Sequence, residues 1–106
     1  MGDVKQVVNR KISENKVMVF SKSYCPDSTM VKKVFEMYVF DGTLKKEDFE
    51  CWDIETSPQC SAIEDYFKDL TGLRSVPSVF INGKYFGGSK QTAAAHKDGT
   101  LKKLLQ

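Results

Sequence analysis

Apolar residues recur at spacings of three and four along the start of the chain. Val4, Val7, Val8 and Ile12 mark one face of a helix over residues 4–14. Val17-Met18-Val19-Phe20 is then a continuous apolar run of four, suited to a strand buried on both faces. From Pro26 the helical spacing returns, with Met30, Val31, Val34, Phe35, Met37 and Tyr38 in one stripe and Asp41-Gly42 as its stop. Residues 49–54 alternate weakly and predict a second strand. Ser57-Pro58 is expected to open another helix, with Ile63, Tyr66, Phe67 and Leu70 inward and Gly72 at its end. Two short apolar runs around Asn82-Gly83 predict a hairpin, because this dipeptide accepts the positive φ of a tight two-residue turn. A last helix follows Gly87-Gly88-Ser89, with Ala94, Leu101, Leu104 and Leu105 inward and Gly99 placed to break it in two.

The predicted order is helix, β-α-β, helix, β-β, helix. Two strands joined through a helix pair in parallel with a right-handed crossover, whereas the hairpin is antiparallel. The expectation is an α/β fold of three layers, in which a four-stranded mixed sheet is flanked by helices on both faces. Residues 1–106 fit one domain, since neither a linker nor a repeat interrupts them.

Composition narrows the function classes. A net charge of +2, with acids near every lysine cluster, gives no basic patch for nucleic acid. Lys32-Lys33, Lys45-Lys46 and Lys102-Lys103 read as solvated faces. No apolar run approaches the ~20 residues of a membrane span. The first residues lack the basic and apolar segments of a signal peptide, and Gln6 stands where a myristoylation signal has Ser or Thr. A cytoplasmic monomer, with no nucleic-acid or membrane partner, is therefore the expectation. Three cysteines, an odd number, argue against a disulfide framework. Their spacing does not match a zinc site, and no metal is expected.

Reactive chemistry then points to Cys25. It lies between a strand and a helix, with Pro26 suited to the first helical turn. Unpaired N–H groups and the positive end of the helix dipole would face its sulfur there and favour the thiolate, and Lys22 adds positive charge nearby. Ser28 follows three residues on, on the same face of the helix, and could donate a hydrogen bond to that sulfur. Ser28 cannot form a disulfide, so this site has one sulfur. Cys51 and Trp52 read as core residues of the second strand. Cys60 reads as a bystander thiol near the surface, and His96 as a packing or capping histidine.

Three blocks in this order resemble a known family: Phe20-Ser21-Lys22-Ser23-Tyr24-Cys25-Pro26, the segment from Leu70 to Ile81 containing Val76-Pro77, and Gly87-Gly88. From about Val17 to the C-terminus the chain resembles the glutaredoxins, a branch of the thioredoxin-fold oxidoreductases. The resemblance implies a thioredoxin-like fold with a cis peptide bond before Pro77. It implies a glutathione-dependent thiol–disulfide oxidoreductase, with glutathione as reductant and glutathionylated proteins as partners. Cys25 would take the glutathionyl group from a mixed disulfide, and a second glutathione would leave as oxidised glutathione. Carried onto this chain, the family's contacts would be Lys22 and Arg74 for the glycine carboxylate, with Tyr24 lining the same groove. The Val76 backbone before Pro77 would pair with the cysteine part of the ligand, and Gly88, Ser89 and Lys90 would meet the γ-glutamyl carboxylate.

Three positions depart from the family pattern. Glu64 replaces a common Gln, and would repel the glycine carboxylate or pair with Arg74. Ser89-Lys90-Gln91 supplies no acid for the γ-glutamyl ammonium. Asp27 replaces a common Tyr, and its charge competes with the Cys25 thiolate. The alternative within the family is a carrier that shares an iron–sulfur cluster between two protomers through Cys25 and glutathione. The chain lacks the Cys-Gly-Phe-Ser motif of that branch.

Overall fold

Five residues, Val17–Ser21, form strand β1, and all five are buried. Their alternation divides the interior. Val17 and Val19 point into one apolar cluster, Met18 and Phe20 into another on the opposite face. The computed structural model describes residues 2–106. In chain order the remaining elements are α1 (Gly2–Glu14, preceding β1), α2 (Pro26–Phe40), β2 (Phe49–Asp53), α3 (Cys60–Thr71), β3 (Ser78–Ile81), β4 (Lys84–Gly87), α4 (Ser89–Asp98) and α5 (Thr100–Leu105). Short 3-10 turns precede and follow β2 at Lys46–Asp48 and Ile54–Thr56.

The sheet order is β2-β1-β3-β4. β1 and β2 are parallel, with Val17 opposite Phe49, and β1 and β3 are antiparallel, with Val17 opposite Ile81. The β3–β4 hairpin turns at Asn82 and Gly83, both at positive φ (53° and 81°), as a type I′ turn requires. On one face α2 and α5 bury Val31, Val34, Phe35, Tyr38, Leu101 and Leu105. On the other, α1 and α3 bury Val4, Val8, Ile12, Ile63 and Phe67. Phe20 anchors this second layer, 4.8 Å from Phe67 and edge-on to Phe80 at 5.8 Å between ring centres. Each fully buried Phe contributes roughly 1.5–3 kcal/mol by leaving water. The three-layer α/β architecture and the cis Val76–Pro77 bond agree with the expectation.

Several helical positions differ. The third helix starts at Cys60, two residues after Pro58, because the Ser57 hydroxyl accepts the Gln59 N–H and the Ser57 carbonyl accepts that of Cys60, which closes a turn first. Leu70 is exposed because it lies in the last turn of α3, beyond the reach of the core that Ile63 and Phe67 fill. Met37 lies on the outer side of the α2 stripe and is also exposed. In α4 the inward position belongs to Thr92, not Ala94, which is exposed. Gly99, at φ 84°, ends α4 and restarts the chain as α5 in a new direction. Leu101 and Leu105 then share the inward face, and Leu104 falls on the outside.

Candidate functional site

β1 ends at Ser21, and the chain needs four residues to turn into α2. That loop is fixed at both ends. The Cys25 N–H donates to the Lys22 carbonyl at 3.1 Å, and the Ser23 N–H and hydroxyl both donate to the Glu55 carboxylate. Cys25 is the N-cap of α2, with extended backbone (φ −92°, ψ 118°) and Pro26 in the first helical position. Its carbonyl accepts the Thr29 N–H at 3.0 Å, so the helix begins at the cysteine itself. The sulfur is half-buried and faces the first turn.

Ser28 is almost fully buried beneath it. The Ser28 hydroxyl, then the Ser28 backbone N–H, and to a smaller extent the Asp27 N–H lie toward the Cys25 sulfur and hold its pKa below the ordinary thiol value, although the cysteine side chain makes no capping hydrogen bond. Partial burial and the Asp27 carboxylate oppose this, the latter least. The Ser28 oxygen itself accepts the Lys22 N–H at 3.4 Å, which orients the hydroxyl hydrogen away from the loop. Cys51 behaves oppositely. Burial in β2 raises its pKa, although the Ser21 hydroxyl lies 3.2 Å from its sulfur. Cys60 heads α3 and is half-buried against Phe20's cluster. His96 makes a 2.7 Å bond to the Tyr38 hydroxyl, a packing role.

The residues carried over from the family separate into two groups. Val76, Pro77, Gly88, Ser89 and Lys90 come together, with Asp27, around one groove of about 390 Å³. Gly88 is what lets α4 approach the Pro77 loop: a Cβ there would lie 3.2 Å from the Pro77 carbonyl oxygen. The Gly88 N–H does not stand free, however. It donates to the Gln91 side chain at 2.9 Å, so the first free donors of α4 are those of Ser89 and Lys90. Asp27 in this groove went unread as a binding residue in the sequence. It supplies an acid on the α2 wall where the α4 wall has none.

Lys22 and Arg74 form the second group, and neither is a free cation. Lys22 Nζ lies 2.8 Å from Glu64, and this bond, opposed by partial burial, raises the lysine pKa. Arg74 reaches Glu64 at 3.8 Å and Asp65 at 3.0 Å. Of the two outcomes expected for Glu64, pairing therefore occurs, with both cations rather than with Arg74 alone. Tyr24 projects into solvent beside this cluster's loop, 70% exposed. A larger apolar hollow of about 790 Å³, between Met37, Phe40 and His96, contains no thiol and lies at the other end of α2.

Comparison with known proteins places this geometry. The glutaredoxin family profile matches residues 17–86. Monothiol glutaredoxin-S6 of Oryza sativa subsp. japonica is 37% identical over 98 residues, covering 92% of this chain and 70% of that protein. Oxidised glutaredoxin 2 from Chlamydomonas reinhardtii superposes with a TM-score of 0.86 at 38% identity, over 99% of this chain and 92% of that one. A buckwheat glutaredoxin–glutathione complex superposes with a TM-score of 0.82 at 31% identity, over 98% and 88%. With its sheet order, cis proline and helix-capping cysteine in agreement, this chain belongs to the glutaredoxin family.

Proposed function

We propose that this protein transfers glutathionyl groups by a one-sulfur mechanism, with Cys25 as the nucleophile. The observation that carries the reading is the seat of Cys25. Its sulfur sits at a helix N-terminus where the polar groups of Ser28 favour the thiolate, and no second cysteine occupies the next turn. In the first step the Cys25 thiolate attacks the glutathionyl sulfur of a mixed disulfide. A new S–S bond joins Cys25 to glutathione, the old S–S bond breaks, and the protein partner leaves as a thiolate. In the second step a glutathione thiolate attacks the bound glutathionyl sulfur, which yields oxidised glutathione and restores the Cys25 thiolate.

The groove supports binding of the glutathione part. Its Val76 backbone can pair with an extended peptide as an added strand, and the first turn of α4 presents N–H donors to a carboxylate. The rice relative is named a monothiol glutaredoxin and the buckwheat structure holds glutathione, which agrees with both parts of the reading. Substrates are then glutathionylated proteins and small glutathione disulfides. Mass spectrometry after incubation with oxidised glutathione tests the proposal. One glutathione is expected, on Cys25; addition to Cys51 or Cys60 instead would refute it.

A further inference from the structure

The charges beside Cys25 cancel internally. Two cations, Lys22 and Arg74, face two carboxylates, Glu64 and Asp65, at 2.8 Å, 3.8 Å and 3.0 Å. Glu64 is central, because it reaches both cations and is itself only 18% exposed. The cluster adjoins the nucleophile: the Lys22 carbonyl accepts the Cys25 N–H, and Arg74 lies in the loop whose Val76 and Pro77 line the groove. An incoming free carboxylate meets cations that already face carboxylates, Lys22 most closely. To reach Lys22 it must displace Glu64, which is tethered and loses no translational freedom on pairing. To lie beside the pair it must accept a partly desolvated like charge. A neutral amide meets neither obstacle, since its N–H groups donate to Glu64 while its carbonyl accepts from Lys22 or Arg74.

We propose that Glu64 makes this site select γ-glutamylcysteinyl thiols whose C-terminal carboxylate is masked as an amide, in preference to those that end in a free carboxylate. This rests on the glutathionyl-transfer reading above and adds the substrate class to it. The chemistry is unchanged: the Cys25 thiolate bonds to the tripeptide sulfur, and the leaving thiolate takes the electron pair of the broken S–S bond and then a proton from water.

The test compares single-turnover transfer to the full chain from two mixed disulfides of 2-mercaptoethanol, one with glutathione and one with its glycine amide. Bis(2-hydroxyethyl) disulfide serves as the reference for Cys25 reactivity alone. The wild-type protein is expected to take the amide faster by about tenfold, equivalent to ~1.4 kcal/mol. Glu64→Gln is expected to bring the ratio, with each rate taken relative to the reference, to one or below. A wild-type preference for the free acid, or a ratio that Glu64→Gln leaves in place, overturns the inference. The wild-type ratio alone suffices should the variant fold poorly. If neither tripeptide disulfide reacts faster than the reference, glutathionyl transfer itself fails, and this inference with it. If both react faster at equal rates, only the selectivity is refuted.

Discussion

Cys25 and Cys51 each lie against a serine hydroxyl, yet they titrate in opposite directions. Ser28 lowers the pKa of Cys25, whereas Ser21 lies 3.2 Å from Cys51 and fails to prevent a rise. The difference is in what else surrounds each sulfur. Cys25 caps a helix, so backbone N–H groups of the first turn add to the hydroxyl, and water reaches the sulfur. Cys51 is in the middle of β2, where the backbone N–H groups belong to the ladder with β1 and burial is the largest influence. One hydroxyl does not offset desolvation; a hydroxyl together with a helix N-terminus does.

The sharpest way to break this comparison is to delete each sulfur. Cys25→Ser is expected to reduce glutathionyl transfer to the uncatalysed background. Cys51→Ala should leave the rate within about twofold, since it removes no group that touches the reacting atoms. Equal losses in a glutathione-coupled assay would end the distinction. Next in size is Ser28→Ala. It removes the largest influence that favours the thiolate, so the pH midpoint of Cys25 alkylation should move up. Below the wild-type midpoint the iodoacetamide rate should fall roughly three- to tenfold, the scale of one ordinary net hydrogen bond. An unmoved midpoint would assign the ionisation to the helix alone.

The smallest effect is on stability. Cys51 has a raised folded-state pKa, so its contribution is full below the unfolded value of ~8.5 and is lost as pH rises toward the folded value. Cys25 has a lowered one, so its contribution is present above ~8.5 and is lost as pH falls through the folded value. Melting temperatures measured from pH 7 to 10 should therefore fall less steeply in Cys51→Ala than in the wild type. In Cys25→Ser they should fall more steeply. Parallel curves would contradict the opposed titrations.

Much of this arrangement is legible in the amino-acid sequence. The strand Val17–Phe20, the Pro26 helix start and the Asn82-Gly83 turn each rest on local chemistry that tertiary contacts do not override. The position of Cys25 follows from these, and so does the burial of Ser28 in the first turn of α2. What local pattern could not supply was direction at helix ends and pairing across the chain. Leu70 and Leu104 continue apolar spacings past the point where the helix still faces the core. Glu64 is 42 residues from Lys22, and its simultaneous reach to Arg74 depends on how α3 packs beside the active-site loop. Asp27 read as a threat to the thiolate because its spacing from Cys25 is visible in sequence. Its place in the wall of the groove is not.

Gly88 carries one further consequence. With only 3.2 Å between its would-be Cβ and the Pro77 carbonyl oxygen, the two walls of the groove come this close because a carbon atom is absent. The closeness of the two walls thus depends on that one missing carbon, at a position of negative φ (−113°). Such a position is a natural dial for engineering. A side chain there wedges α4 away from the proline loop without touching the nucleophile, so the channel can be matched to a ligand trimmed or enlarged by the same volume.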